Sequence, residues 1–309
     1  MATKSVITVD LADVWAEPGR KSFVRTLAWG DEVMVTSATA ERLEIETVEF
    51  VEQADGSILP AKRKGFIEPK ASSGLKATDL VKPRAQNDVL KVNFVDVQQG
   101  DGSVIEAPDG TVILVDGGDN QLFARYLAGR FRGTTAAKPQ EIACILVTHG
   151  DADHFAGLPE ILASETNTEP RKRLFMKPRR VYHNGLVKRP SKDGTRSRTD
   201  VEMLGATKEK DGRTYITGLE DNLLDVPDDQ MNAPFKTWKS TLATYNSRSK
   251  ITFRRLELGD TQAFRFFNEG DLKIEVLGPI TTPVSGKPAL PFLGEPPRVA
   301  GVHIGSVLG

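Results

Sequence analysis

The order of hydrophobic and polar positions divides the chain in two. Over the first seventy residues, short β-rich runs follow one another: "SVITVDL", "SFVRTLAWGDEVMV", "RLEIETVEFV" and "AKRKGFIEP". In the third, Leu43, Ile45 and Thr47 alternate with Glu44 and Glu46, the period of a half-buried strand. Turn signals separate the runs at Glu17-Pro18-Gly19, Gly30-Asp31 and Asp55-Gly56. Closely spaced strands with such punctuation predict a small all-β barrel over residues 1–70. Residues 71–88 are polar, carry Ser72-Ser73-Gly74 and Pro83, and read as a linker.

From residue 89 the pattern changes. "LKVNFVDV" predicts a strand, and "GSVIEAPDGTVILVDGG" a hairpin turned by Asp109-Gly110. Leu122, Phe123, Tyr126, Leu127 and Phe131 fall at helical spacing. "EIACILVT" is a buried strand, "HFAGLPEILA" opens a helix, and residues 181–183 form the next strand. Helices that return to strands mark a layered α/β architecture over residues 89–309. Residues 190–250 are polar and irregular, an expected insertion or lid, and "DLKIEVLGP" is expected as a further strand.

Net charge is −1, so the whole molecule is not an obvious polyanion binder. The single cysteine, Cys144, excludes an internal disulfide framework and reads as a small core residue. The N-terminus has no apolar run of signal-peptide length, and no segment approaches the ~18 apolar residues of a membrane span. The expectation is a soluble, cytoplasmic protein with no membrane partner. The last residues, "VAGVHIGSVLG", are mildly apolar without a polar tail, and the chain is expected to be truncated at its C-terminus.

The chemistry concentrates in "CILVTHGDADHFAGL", residues 144–158. His149, Asp151, Asp153 and His154 arrive within six residues, directly after a buried strand, separated by Gly150 and Ala152. A divalent metal needs several donors within ~2.0–2.3 Å of one point. A sharp turn at small residues can bring these four together, and two adjacent carboxylates repel unless a cation or protons intervene. One histidine at a strand end is commonly a polar loop residue, and Asp153 alone could serve as a helix cap. Four ligand-type residues in six exceed what folding requires.

"THGDADHFAGL" resembles the signature of the metallo-β-lactamase superfamily, His-x-His-x-Asp-His, with Asp151 in place of the second histidine. That replacement is typical of the ComEC-like branch, the hydrolase domain of the bacterial DNA-uptake protein and its soluble relatives. "VNFVDVQQGDGSVIEAPDG", with Gln98 where glycine is usual, and "TVILVDGG" are similar to the same branch. The matches span residues 89–165. The run "DVWAEPGRKSFVRTLAWGDEVMV" resembles bacterial SH3-like domains. The resemblance implies an α/β fold, the αββα metallo-β-lactamase-type sandwich, only partly present, preceded by a small all-β SH3-like barrel.

It also implies two divalent metal ions, zinc or manganese, with magnesium admissible. His149 and Asp151 resemble the ligands of the first metal, Asp153 and His154 those of the second. Asp153 would orient a bridging water, and Asp116 resembles the aspartate at the site's rim. Gln99 and Asp101 lie in a loop that this branch places near the metals. His183 is a candidate ligand or substrate contact, and His303 a weaker one. The fold's second half should bring a Thr-Gly-Asp step and a final histidine; "ELGD" at 257–260 is only superficially close to that step.

Eight Lys/Arg fall between Arg171 and Arg189, "RKRLFMKPRRVYHNGLVKR". Such a run is either a solvated surface or a track for a phosphate backbone, with Arg179 and Arg180 as candidate substrate contacts. Together with the resemblance, the expected function is a metal-dependent phosphodiesterase or nuclease that uses a metal-bridging hydroxide. Two alternatives stay open: hydrolysis of small esters, thioesters or lactams, and a non-enzymatic module whose SH3-like domain recognises a protein partner.

Overall fold

The computed structural model describes residues 2–267 and 272–293. Strands β1 (Thr3–Ile7), β2 (Leu11–Glu17), β3 (Lys21–Ala28), β4 (Glu32–Ala38), β5 (Leu43–Glu52), β6 (Ile58–Ile67) and β7 (Val81–Pro83) form one antiparallel sheet in the order β3-β2-β6-β5-β4-β1-β7. The alternation read from the sequence sets its inner face, where Val14, Leu43, Ile45 and Ile67 pack with Ile7 and Leu80. The segment expected to be a free linker is built into this sheet, since β7 pairs with β1 (Ser5 opposite Pro83).

The second part begins with β8 (Lys91–Phe94), β9 (Gly102–Glu106) and β10 (Val112–Asp116), followed by α1 (Leu122–Arg130), β11 (Gln140–Ile142), β12 (Cys144–Leu146), α2 (Ala152–Phe155) and α3 (Pro159–Ser164). Then come β13 (Met176–Pro178), β14 (Arg180–His183), the short pair β15 (Lys192–Asp193) and β16 (Arg196–Ser197), α4 (Asp200–Met203), β17 (Thr207–Lys210) and β18 (Arg213–Ile216). The last elements are α5 (Ala233–Arg248), β19 (Thr252–Arg255), β20 (Thr282–Val284) and β21 (Lys287–Pro291). The main sheet runs β19-β14-β12-β10-β9-β8, with β10, β12, β14 and β19 parallel and β8–β10 antiparallel.

Helices cover one face. Phe123 and Leu127 of α1, Ile161 of α3 and Trp238, Leu242 and Tyr245 of α5 meet Val104, Leu114, Ile145 and Val181 of the sheet. The other face carries Ile113, Cys144 and Tyr182 against Leu256, Phe264 and Phe267. Cys144 is a core residue, and burial pushes its thiol well above the ordinary range. Two expectations fail here. The interval 190–250 contains the sixteen-residue α5, capped by the Asn232 side chain, which accepts from the Phe235 amide, and started by Pro234. Among the described residues, 272–280 pair with no strand, although β-type side chains fill them. His303 and the "HIGSVLG" ending lie outside the described residues. Among the described residues no helix is long and apolar enough to cross a membrane.

A charged cluster joins the two parts. Asp31, at the β3–β4 turn, is almost fully buried. One of its oxygens accepts from the Ala28 amide (2.9 Å); the other accepts from Arg130 Nη2 (2.7 Å) and Lys91 Nζ (2.6 Å). Arg130 also grips Glu106 through two bonds of 2.8 Å. The paired geometry compensates the desolvation that isolated charges would suffer there. Burial alone would raise the Asp31 pKa, but the bonds and charges of Arg130 and Lys91 outweigh it and hold the carboxyl at about 2.

The folded-state value lies below the unfolded one. The resulting stability is therefore complete above about pH 4 and is lost as pH falls toward 2. Urea denaturation should show wild type losing about 2 kcal/mol from this source between roughly pH 4 and pH 2. Asp31→Asn should lack that component and should already be about 2 kcal/mol weaker at pH 7, because Arg130 and Lys91 are left with Glu106 alone. An unchanged acid profile in the variant would contradict the assignment.

Candidate metal centre

Strand direction assembles the site. The parallel register sets Val115 opposite Leu146 and Leu146 opposite Tyr182, so Asp116, the residues after Leu146 and His183 all leave the sheet at one edge. The antiparallel register sets Gly102 opposite Asp116, which brings the 95–101 loop to the same edge. Carboxyl ends of parallel strands are where open α/β sheets bind ligands.

Asp116 is the anchor. Its side chain is buried. One oxygen accepts from the Thr148 amide (2.8 Å); the other accepts from Thr148 Oγ1 (2.6 Å) and bonds His154 Nδ1 (2.8 Å). An ionised carboxylate only accepts, so the His154 proton sits on Nδ1 and leaves Nε2 free as a ligand atom. Thr148 Oγ1 spends its proton on Asp116 and can only accept from the Nδ1 atoms of His149 and His154, each 3.3 Å away. The two imidazoles are in contact, with centroids 3.7 Å apart and planes at 54°. Asp116 has a φ of +56°, a left-handed conformation that aspartate tolerates better than most residues.

The loops interlock over this anchor. The Gly117 amide donates to the His154 carbonyl (2.7 Å), and Gly118 donates to the Asp101 carbonyl (2.7 Å). A Cβ at Gly100 would sit 1.6 Å from the Asp153 carbonyl oxygen, so only glycine admits α2 at this depth. Gln98 holds a φ of +70°, which explains why glycine is the usual residue in the motif it resembles. Beneath the loop, Phe235 of α5 packs on Phe155 (centroids 4.6 Å) and lies 3.2 Å from where a Gly150 Cβ would stand. The helix hidden in the polar interval is thus the floor of the site.

The four expected ligands share one loop but do not share one point. Among the described residues, no three His, Cys, Asp or Glu side chains are disposed to hold a metal ion as they stand. Asp151 ion-pairs with Lys188, and its other oxygen is 3.8 Å from His149 Nε2. Burial works against the Asp151 carboxylate, yet Lys188, helped by the two histidines, holds its pKa below the usual range. Asp153 makes no side-chain hydrogen bond or ion pair with a described residue, and Asp151, the residue at the N-cap of α2, makes no capping bond. Neither carboxylate is consumed by the fold. In kind, two free imidazole nitrogens and two uncommitted or exchangeable carboxylates fit a divalent cation. In arrangement, Asp151 must first leave Lys188.

The remaining expected residues divide. Asp101 stands at the rim, its carboxylate 3.9 Å from His154 Nδ1, and Gln99 is exposed on the same loop. His183 lines the cavity beside His149 and Gly150. Its Nδ1 accepts from the Gly185 amide (3.0 Å), so the buried Nε2 carries the proton, with the Asp221 backbone as its polar neighbour. Burial pulls its pKa down to about 4. That tautomer is a donor, not a metal ligand.

Arg179 and Arg180 are not at the site. They precede or begin β14, whose far end carries His183, a separation of ~10 Å along the strand. Arg179 pairs with Glu141 (2.5 Å), while Arg180 bonds the Ala143 carbonyl and stacks on Phe266 at 3.9 Å. Arg171 and Lys172 are tied to Glu169. From the basic run only Lys188 reaches the histidine loop. Asp260 of "ELGD" is engaged by Arg254. Thr148 and Lys188 are site residues the sequence left unmarked; the threonine's place between the strand and the first histidine was the only signal for it.

Asp116→Asn keeps a side chain that tolerates the left-handed backbone but offers an amide N–H to His154. Binding of zinc or manganese, measured by titration calorimetry, should weaken about 10–100-fold. Unchanged affinity would show that Asp116 does not orient His154.

Residues 95–205 match the model of the metallo-beta-lactamase superfamily, a span that contains Asp101, Asp116, the whole histidine loop, His183 and Lys188. No curated protein and no solved structure matches the chain. Proteins of that superfamily usually bind divalent metals, typically two zinc ions. Over this third of its length, the chain is similar to a metal-dependent hydrolase.

Proposed function

We propose that the protein is a metal-dependent phosphodiesterase of the ComEC-like kind, with a single-stranded nucleic acid as its candidate substrate. The observation that carries this reading is the combination at one sheet edge of two histidines, of Asp153 with no described side-chain partner, and of Asp151 held by a single half-exposed lysine. His149, Asp151, Asp153 and His154 would hold zinc or manganese. The chemistry that a bound divalent cation supplies is Lewis-acid activation of water and neutralisation of anionic charge.

The chain's own residues do the rest. Asp116 fixes the His154 ring and, through Thr148, the entry to the loop. Lys188, beside Asp151, would offer a positive contact to a non-bridging phosphate oxygen. His183, protonated on Nε2, lines the cavity next to His149. With Arg179 and Arg180 committed elsewhere, a long strand would be held by contacts near Lys188 and not by the whole basic run. We further propose that the first sheet is SH3-like and serves as a protein-partner module, and that the protein is cytoplasmic.

Turnover of bis(p-nitrophenyl) phosphate and of a single-stranded oligonucleotide with added manganese or zinc tests the reaction. Asp153→Ala should lower kcat/KM by at least ~10²-fold with an unchanged circular dichroism spectrum, since that side chain supports no described contact. Equal turnover by the variant, or hydrolysis confined to p-nitrophenyl acetate, would refute the phosphodiesterase reading.

A further inference from the structure

One cavity of the described residues is set apart from the histidine loop. It lies between the N-terminal sheet and the α/β part, and measures about 360 Å³, within the range of small-ligand sites. Its walls come from both parts: Lys4 of β1 and Arg25 of β3 on one side, Lys91 of β8 and Arg130 of α1 on the other. Its carboxylates are already used. Asp31 and Glu106 are saturated by Arg130 and Lys91, and Glu32 is engaged by Arg84. Five cations line the cavity against three carboxylates, and the two left over are Lys4 and Arg25, neither of which forms an ion pair with a described residue.

Arg25 is the informative one. Its Nε–H is buried and has no hydrogen-bond partner among the described residues. A folded chain rarely leaves a charged donor in that condition, because it gives up hydration and receives nothing in return. Burial, then Arg132, then Arg130 disfavour its charge, and Asp31 offsets only part of this. A guanidinium does not shed its proton under such pressure; the negative charge of an anion in the adjoining cleft would offset it without touching Nε. The planar fork suits two oxygens of one phosphoryl or carboxyl group, and two uncompensated cations suit a double charge.

We infer that this cleft binds a small dianion, inorganic phosphate or a phosphate monoester, with Arg25 as its fork and Lys4 as its second contact. Because the walls belong to both parts of the chain, a bound dianion clamps them together and stabilises the whole protein. The inference stands apart from the reaction at the histidine loop.

Calorimetric titration of the full chain with inorganic phosphate and with phenyl phosphate tests it, alongside thermal melts in phosphate and in sodium chloride of equal ionic strength. The expected result is saturable binding and a melting temperature raised above the chloride control. Tighter phenyl phosphate assigns a monoester; tighter inorganic phosphate assigns the free ion. Arg25→Gln should weaken binding at least tenfold while leaving the melting temperature without phosphate unchanged or higher, the mark of a residue kept for a ligand and not for the fold. Should Arg25→Gln not fold, Lys4→Gln, at an exposed position, should weaken binding at least threefold. Asp153→Ala should bind phosphate as wild type does, which separates the cleft from the histidine loop. A phosphate shift no larger than that of chloride, undiminished binding by the folded Arg25→Gln protein, or loss of binding in Asp153→Ala would overturn the inference.

Discussion

A single buried carboxylate organises the reactive edge of this protein. Asp116 receives a backbone amide and a hydroxyl from Thr148 and an imidazole N–H from His154, and these three bonds decide where the next loop can go. A buried carboxylate without partners would be costly, so the fold satisfies it with the groups that the site must position. The same bonds that remove the penalty select one tautomer for His154 and tie Thr148 against His149. Structural need and chemical preparation coincide in one residue.

Around that anchor, the structure separates two kinds of charge. Asp31 and Glu106 are fully matched by Arg130 and Lys91 and act as a weld between the parts of the chain. At the histidine loop the match is loose: Asp151 is half exposed and holds a lysine that an incoming cation can replace. Matched buried ions resist change, whereas half-exposed pairs exchange at little cost. The difference in solvent access, more than the residue types, distinguishes a structural cluster from a reactive one.

Much of this was legible in the sequence, and the failures have physical reasons. The alternation in β5 and the hairpin at Asp109-Gly110 are local signals and appear where expected. The histidine loop stood out in the sequence because folding alone does not ask for four ligand-type residues in six, yet the sequence could not show that the four side chains fail to share one point as they stand. α5 was hidden because Lys, Thr, Ser and Asn fill its solvent face, although Phe235, Trp238, Leu242 and Tyr245 fall at helical spacing. Arg179 and Arg180 were misplaced because closeness along the chain says nothing of which end of a strand meets the site. Lys188 lies farther along the same run, beyond the strand, and therefore arrives. Asp31 read only as a turn residue, since its partners Lys91 and Arg130 are 60 and 99 residues away. Apolar residues at 272–280 suggested a strand; among the described residues they pair with no strand and cover the sheet's second face through Leu272, Ile274 and Val276.

The central claim is that the Asp116-anchored loop receives a divalent cation by exchanging Lys188 for it at Asp151. Anomalous diffraction from crystals of the full chain grown with zinc or manganese tests it most directly. The account predicts a peak within ~2.0–2.3 Å of a histidine Nε2 and of Asp151, with the Lys188 ammonium withdrawn from that carboxylate. A cation bound elsewhere, with the Lys188–Asp151 pair intact, would contradict it.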